Sequence, residues 1–70
     1  MPDTVLLIDD DVAVLKSVGD YLEKSGWEVQ REGNAANGLE AYQRVRPAVV
    51  ILDLHLPDAS GLDVLEQLRA

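Results

Sequence analysis

The chain has 70 residues, 47% of them hydrophobic and 27% charged, a composition typical of one small globular domain. Its formal net charge of −7 argues against binding to a nucleic-acid backbone, because such binding depends on cationic side chains. The absence of Cys excludes disulfides, thiolate metal sites and thiol nucleophiles. The sequence shows neither a membrane-spanning apolar run nor the pattern of a secretory signal, so we expect a cytoplasmic protein without membrane contact.

The first half of the chain predicts a strand, a helix and a second strand. Residues 5–8 are apolar at every position, which is typical of a strand covered on both faces. Residues 11–25 then show the three-and-four spacing of a helix, with Gly26 as its stop. The predicted buried face of this helix comprises Val14, Leu15, Val18, Tyr21 and Leu22. Residues 27–30 form a more polar run, which predicts a strand near the edge of a sheet.

A second helix and a third strand are predicted next. Residues 35–45 carry a helical stripe of apolar positions, with Asn34 as the predicted N-cap. Pro47 ends this helix and favours an extended conformation at Arg46. Residues 49–52 repeat the continuous apolar pattern of the first strand, which predicts a second buried strand.

A third helix is predicted from Gly61 to Ala70, because Ser60 and Asp63 form a capping pair before an apolar run. Three leucines supply its predicted buried face, namely Leu62, Leu65 and Leu68. The order of elements is therefore β-α-β-α-β-α. Strands that alternate with helices in this way predict an α/β fold with a parallel sheet and right-handed crossovers.

Acidic residues follow two of the three predicted strands. Asp9, Asp10 and Asp11 come directly after the first strand, and Asp53 comes directly after the third. The carboxyl ends of parallel strands share one edge, and ligands of open α/β sheets bind where the strand order reverses. If the second strand lies outside the first and the third lies on its other side, the topology brings Asp9, Asp10 and Asp53 together.

Such a cluster of carboxylates is unfavourable on its own. Two unit charges ~4 Å apart repel by about 4 kcal/mol at an effective dielectric constant of 20. No Lys or Arg occurs before Lys16, so a hard cation such as Mg²⁺ is the expected relief, and a carboxylate beside it is a candidate phosphate acceptor. The alternative is purely local. In this interpretation Asp10 or Asp11 caps the first helix and Asp53 belongs to a turn. The residues alone leave both the metal-site and the cap-and-turn interpretations open.

Two segments resemble response regulator receiver domains of two-component signalling. Residues 5–11 resemble the first strand of that family with its acidic pair, and residues 49–62 resemble its phosphoacceptor strand and loop. In the second segment Asp53 is followed by Pro57 and then by Gly61, at spacings of four, and these two residues shape the loop before the third helix. The resemblance keeps its order and spacing over the whole chain.

The resemblance implies a flavodoxin-like fold of five strands and five helices, with strand order 2-1-3-4-5. This chain supplies three of each. Residues 1–70 are therefore expected to form a single partial receiver domain, with a three-stranded parallel sheet in the order 2-1-3 flanked by helices and with the fourth and fifth strands and helices absent. Ala48 stands where the family often has Asp, and Leu56 stands where it often has Met. The hydroxyl residue and the lysine that end the family's fourth and fifth strands have no counterpart, so phosphorylation is expected to be impaired by truncation.

The resemblance also implies the site residues and the partners. Asp53 matches the aspartate that accepts a phosphoryl group from a sensor histidine kinase, and Asp10 matches the residue that ligates Mg²⁺ directly. Asp9 matches its neighbour, which acts through metal-bound water, and His55 matches the position whose backbone carbonyl completes the protein ligands together with Asp53. The implied protein is a signalling domain and not an enzyme. Its further partner is the output domain of the intact regulator, often a DNA-binding one, with no direct nucleic-acid contact by this chain.

Two other functions compete with this interpretation. The third predicted strand ends the sheet and exposes apolar residues, which favours a self-associating structural half-domain, a homo-oligomer formed through that strand or by exchange of elements, without phosphorelay activity. The second competing function is that of a small Mg²⁺-dependent phosphohydrolase. Such enzymes typically carry a second Asp two residues after the nucleophile, where this chain has His55, and this difference counts against turnover.

Overall fold

The structure, a computed structural model, describes residues 3–69 as three parallel strands that alternate with three helices. Their bounds are β1 Thr4–Ile8, α1 Val12–Lys24, β2 Glu28–Glu32, α2 Ala35–Val45, β3 Val49–Leu52 and α3 Gly61–Arg69. The sheet order is β2-β1-β3, so the α/β fold with strand order 2-1-3 is confirmed. The predicted end of the third helix at Ala70 lies outside the described residues. Within residues 3–69, no helix combines the length and the apolar character needed to cross a membrane.

The register of the sheet brings the carboxyl ends of β1 and β3 level with each other. Val5 pairs with Val49 at one end of the two strands, and Ile8 pairs with Leu52 at the other. On the opposite side, Ile8 pairs with Glu32 of β2. Whatever follows Ile8 and Leu52 therefore leaves the sheet at the same edge and at the same height.

The central strand is buried on both faces, as its apolar run predicts. Leu6 and Ile8 form a core cluster with Ala41 of α2, and partly buried residues of β3, α2 and the following loop pack against it. These are Tyr42, Val50, Leu52 and Leu56. Because side chains alternate along a strand, Val5 and Leu7 point to the other face, which α1 covers.

The prediction that β3 is covered on both faces is wrong. Val49 is 41% exposed and Ile51 is 39% exposed, whereas Val50 and Leu52 are half-buried. The reason is the position of α1, which packs on β1 and β2 but does not extend over β3. One face of β3 is thus left apolar and open.

In α1, the residue that is most buried is a glycine instead of a large apolar side chain. The prediction that Tyr21 belongs to the buried face is wrong, because its side chain is 69% exposed. Gly19 is buried instead, and a Cβ there would collide with the guanidinium of Arg31. The other four residues of the predicted face are half-buried, namely Val14, Leu15, Val18 and Leu22.

Arg31 explains why β2 continues past the predicted end at residue 30. Its Nε donates a hydrogen bond to the Leu15 carbonyl at 2.9 Å, and its Nη2 donates to Asp20 at 3.1 Å and to Glu23 at 2.9 Å. These contacts tie β2 to α1, so a polar residue is stabilised inside a strand. Tertiary contacts here override the weak strand preference of a polar sequence.

The buried face of α3 also differs from the prediction. Leu62 is 64% exposed and Leu65 is 43% exposed, so both leucines face outward. Gly61 and Val64 are buried instead, and Leu68 is half-buried, as predicted for it. The inward-facing residues of α3 are therefore Gly61, Val64 and Leu68, which are spaced three and four residues apart. The small residue at its start lets the helix approach the backbone of the preceding loop.

The helix termini follow the sequence signals with one exception. Asp11 is the N-cap of α1, accepting from Ala13 N at 2.9 Å, which decides between Asp10 and Asp11. Asn34 caps α2, and the Ser60 hydroxyl accepts from Asp63 N at 3.3 Å at the start of α3. Gly26 follows α1 with a φ of 99°, as a helix stop requires.

The exception is the end of α2. The prediction of an extended Arg46 is wrong, because this residue adopts the left-handed conformation with φ 52° and ψ 66°. Its N–H donates to the Tyr42 carbonyl at 3.0 Å and so satisfies one of the last carbonyls of the helix. A proline disfavours the right-handed helical region at the preceding residue, and the left-handed cap avoids that region while keeping the hydrogen bond.

Candidate acidic site at the carboxyl edge of the sheet

Three carboxylates lie together where β1 and β3 end. Asp9, Asp10 and Asp53 each offer one oxygen, and these three oxygens all lie within 4.8 Å of one another. Asp9 and Asp53 are half-buried and Asp10 is exposed. The juxtaposition that the parallel topology predicts is therefore present, and we call this cluster the acidic site.

Backbone hydrogen bonds hold two members of the acidic site as continuations of the sheet. Asp53 N donates to the Ile8 carbonyl at 2.9 Å, and Asp9 N donates to the Glu32 carbonyl at 3.0 Å. Each strand pairing thus extends one residue into the site. Because the backbone positions are set by the ladder, the carboxylates start from adjacent points on a rigid element.

Local turns orient two of the carboxylates. Asp9 Oδ1 accepts from Asp11 N at 2.9 Å, and Asp53 Oδ1 accepts from His55 N at 3.2 Å. Both are bonds from a backbone N–H two residues further along, which is a common turn arrangement for Asp. The turn interpretation and the cluster interpretation therefore hold together, since one oxygen of each carboxylate serves the turn.

The acidic site has no salt-bridge partner within the described part of the chain. Among residues 3–69, none of the salt bridges includes Asp9, Asp10 or Asp53. The His55 imidazole is exposed and is not one of the clustered groups. A set of carboxylate oxygens with no internal counter-charge is the donor type that Mg²⁺ prefers, so these residues fit such an ion.

The loop between β3 and α3, residues 53–60, is closed upon itself. Gly61 N donates to the Leu54 carbonyl at 2.9 Å, and His55 and Ser60 form an antiparallel bridge. A Cβ at Gly61 would lie 2.5 Å from the Asp53 carbonyl oxygen and 2.6 Å from Leu54 Cα. Glycine is therefore required here, because the first turn of α3 touches the backbone of the strand end.

One residue of this loop has a contact that the sequence analysis missed. Asp58, which resembles an ordinary turn residue in the sequence, accepts from Ala35 N at 2.7 Å through Oδ1 and from Ala36 N at 2.9 Å through Oδ2. These backbone N–H groups hold the pKa of the Asp58 carboxyl below its usual value. A weak signal was available, since the first turn of α2 carries no acidic residue of its own to complement the helix dipole.

The acidic site lies between the central strand and β3, at the carboxyl ends of parallel strands. This is the place where α/β domains with open sheets bind their ligands, because the strand order reverses there. Residues 5–70 match the sequence model described as "Response regulator receiver domain". The chain therefore belongs to the response regulator receiver domain family, a family of signalling domains.

Relatives among curated proteins agree with this family. The chain is 44% identical over 69 residues to the probable transcriptional regulatory protein TcrX of Mycobacterium tuberculosis, covering 99% of this chain and 30% of the relative. It is 33% identical over 69 residues to the polar-differentiation response regulator DivK of Brucella anthropi, covering 99% of this chain and 56% of the relative. The chain thus spans about a third to about half of the length of these relatives.

Solved structures show the same fold. A CheY-like response regulator receiver domain protein from Methanospirillum hungatei superposes with a TM-score of 0.96 at 32% identity, covering 99% of this chain and 55% of that one. A CheY-like receiver domain from Methylobacillus flagellatus superposes with a TM-score of 0.94 at 30% identity, covering 100% of this chain and 59% of that one. The three strands and three helices described above thus match somewhat more than half of each of these two receiver structures.

Proposed function

We propose that this chain accepts a phosphoryl group from a sensor histidine kinase onto Asp53, with Mg²⁺ bound at the acidic site. The observation that carries the proposal is the gathering of Asp9, Asp10 and Asp53 oxygens within 4.8 Å at the carboxyl edge of the sheet. Membership of the receiver family supports the assignment of Asp53 as acceptor. We assign Asp10, Asp53 and the His55 backbone carbonyl as direct ligands, and Asp9 as a ligand through water.

The proposed transfer needs the Asp53 carboxylate, a phosphorylated histidine of the kinase and Mg²⁺. A carboxylate oxygen of Asp53 forms a bond to phosphorus while the bond between phosphorus and the kinase histidine nitrogen breaks, and the electron pair stays on that nitrogen. When bound, Mg²⁺ neutralises negative charge on the transferring group. The turn bond from His55 N at 3.2 Å holds the Asp53 carboxylate at the strand end, ready for attack.

The proposed setting is a cytoplasmic two-component system. Relatives named as transcriptional regulatory proteins support an output domain in the intact regulator, with this chain as the portion that receives the signal. The chain spans 55% and 59% of two receiver structures that it matches, and the resemblance to the family places a hydroxyl residue and a lysine in the part that it does not span. We therefore propose that the chain alone is phosphorylated more slowly than a chain that includes them.

Phosphorylation is tested by intact-mass measurement after incubation with Mg²⁺ and acetyl phosphate, a small phosphodonor. We expect a mass increase of one phosphoryl group that Asp53→Asn abolishes. Asp63→Asn is the matched control, because it makes the same chemical change at an exposed residue in the first turn of α3. A mass increase that survives Asp53→Asn, or none in the unchanged chain, contradicts the proposal.

Metal binding is tested separately by thermal unfolding with and without Mg²⁺. A ligand that binds only the folded state at 100 times its dissociation constant stabilises that state by about 2.7 kcal/mol. We expect Mg²⁺ to raise the melting temperature of the unchanged chain and of Asp63→Asn, and to raise that of Asp53→Asn less. Identical melting curves with and without Mg²⁺ would remove the metal from the proposal.

The open face of β3 supports a second candidate function, self-association as a structural half-domain. Val49 and Ile51 are exposed on a strand at the edge of the sheet, and an apolar edge strand pairs readily with another chain. We expect dimers in sedimentation velocity that Ile51→Lys disrupts, whereas Leu62→Lys, the same change on the exposed side of α3, leaves them intact. A purely monomeric chain at high concentration contradicts this candidate.

A further inference from the structure

The carboxylate of Asp58 connects two elements that are distant in sequence. It accepts hydrogen bonds from the backbone of Ala35 at 2.7 Å and of Ala36 at 2.9 Å, across 23 and 22 residues of chain. These two N–H groups are the first of α2, where a helix has unsatisfied donors and the positive end of its dipole. The contact therefore joins the β3–α3 loop to the start of α2.

α2 also has an N-cap of its own, in addition to Asp58. Asn34 is a local N-cap whose side chain accepts from Asn37 N at 2.8 Å. The donors at this terminus are thus divided between a cap from within the helix and a cap from the β3–α3 loop. If Asp58 did no more than cap α2, its replacement would have the same kind of effect as the replacement of Asn34.

The helix that Asp58 contacts is seated firmly on the central strand. Gly38 of α2 is buried, and a Cβ there would lie 2.6 Å from Ile8 Cδ1, so helix and strand are in close contact. Ile8 directly precedes Asp9 of the acidic site. The start of α2 is therefore a fixed reference point with respect to β1, and a group bound to it shares that position.

The loop is held at its two ends and, through Asp58, in its middle. The ends are fixed by the bonds from Asp53 N to the Ile8 carbonyl and from Gly61 N to the Leu54 carbonyl, both 2.9 Å. His55 lies in the stretch between these points and Asp58. Apart from the contact to α2, this stretch is restrained by the bonds within the loop and by the packing of Leu56.

We propose that Asp58 is a positioning residue for the acidic site: its bonds to α2 hold the loop that carries Asp53 and the His55 carbonyl. This inference rests on the proposed function. Asp58 is not a member of the carboxylate cluster and touches no reacting atom. Its effect is therefore indirect, because it acts on the position of the loop and not on the ion or its ligands.

The test is titration of Mg²⁺ into the unchanged chain and into four variants. Backbone amide chemical shifts are the readout. Asp58→Ala removes both acceptor oxygens. Asp58→Asn keeps one of them and takes the place of Asp58→Ala if that variant does not fold. Asn34→Ala is the matched control, because it removes a cap of the same helix terminus without touching the loop. Asp53→Asn reports on the proposed function itself.

We expect the dissociation constant for Mg²⁺ to rise by up to about tenfold in Asp58→Ala, the equivalent of one hydrogen bond to a charged group. It should rise less in Asp58→Asn and stay unchanged in Asn34→Ala. Without Mg²⁺, the amide signals of Leu54 and His55 should already shift in Asp58→Ala but not in Asn34→Ala. Equal Mg²⁺ affinity in Asp58→Ala and Asn34→Ala would overturn the positioning role alone. Absence of Mg²⁺ binding that depends on Asp53 in the unchanged chain would overturn the proposed function, and the positioning role with it.

Discussion

Replacement of Gly61 by alanine tests how closely α3 approaches the acidic site. The added Cβ would lie 2.5 Å from the Asp53 carbonyl oxygen and 2.6 Å from Leu54 Cα, and neither atom belongs to a flexible side chain that can move aside. Overpacking of this kind costs about 1–3 kcal/mol. The intrinsic preference of a helix for Ala over Gly returns at most about 1 kcal/mol. Because both clashing atoms belong to the backbone, we take the upper part of the overpacking range, about 2–3 kcal/mol, and expect a net loss of about 1–2 kcal/mol in the free energy of unfolding.

The assay is thermal and urea unfolding of Gly61→Ala beside Gly33→Ala. A loss of 1–2 kcal/mol corresponds to a fall of about 4–16 °C in the melting temperature of a domain of this size. Gly33→Ala should be neutral or slightly stabilising, because the nearest atom to its Cβ is the Asp9 carbonyl oxygen at 4.0 Å. If Gly61→Ala were as stable as the unchanged chain, or if Gly33→Ala lost as much, the close approach of α3 would not be the reason for this glycine.

Two further predictions concern polar contacts. Because backbone N–H groups lower the pKa of Asp58 in the folded chain, its contribution to stability is present above its unfolded pKa of about 3.9 and is lost as pH falls through the lower folded pKa. The difference in melting temperature between the unchanged chain and Asp58→Asn should thus become smaller below about pH 4. A difference that stays the same between pH 7 and the lowest pH at which the chain is folded would refute this. Arg31→Lys keeps the charge but loses the forked donors to Leu15 and Glu23, so we expect a loss of about 1 kcal/mol in urea unfolding. Arg44→Lys, in an exposed pair with Glu40, should change stability by less than about 0.5 kcal/mol, and equal losses in both variants would contradict the role of Arg31.

The sequence predicts the fold through its apolar periodicity and its caps. The continuous apolar run of β1 and the Asn34 cap of α2 each act over a few residues, so local physics fixes them. The outward leucines of α3 could not be foreseen in this way. Leu62 and Leu65 fit an amphipathic helix as well as Val64 does, and only the position of α2 decides which stripe faces inward. Packing between elements was the missing information.

The acidic site shows the same division. The juxtaposition of Asp9 and Asp53 follows from parallel strands alone, because their register requires neighbouring carboxyl ends. The contact of Asp58 depends on where the β3–α3 loop lies relative to α2, which no spacing along the chain encodes. Arg31 is a similar case, since its partners Asp20 and Glu23 resemble solvent-exposed helix residues in the sequence.

The loop contacts and the proposed cation are linked energetically. Three carboxylates within 4.8 Å repel one another, and among residues 3–69 no salt bridge relieves them, so the repulsion acts to move Asp53 away from Asp9 and Asp10. The bonds of Gly61 and Asp58 oppose that movement. Under the proposed function, Mg²⁺ opposes it as well, by attracting all three carboxylates. Linkage is reciprocal, so if the contact between Asp58 and α2 strengthens Mg²⁺ binding by a given factor, bound Mg²⁺ strengthens that contact by the same factor. Under the proposed function, residues that never touch the ion therefore influence its affinity, because their bonds oppose part of the repulsion between the carboxylates before the ion binds.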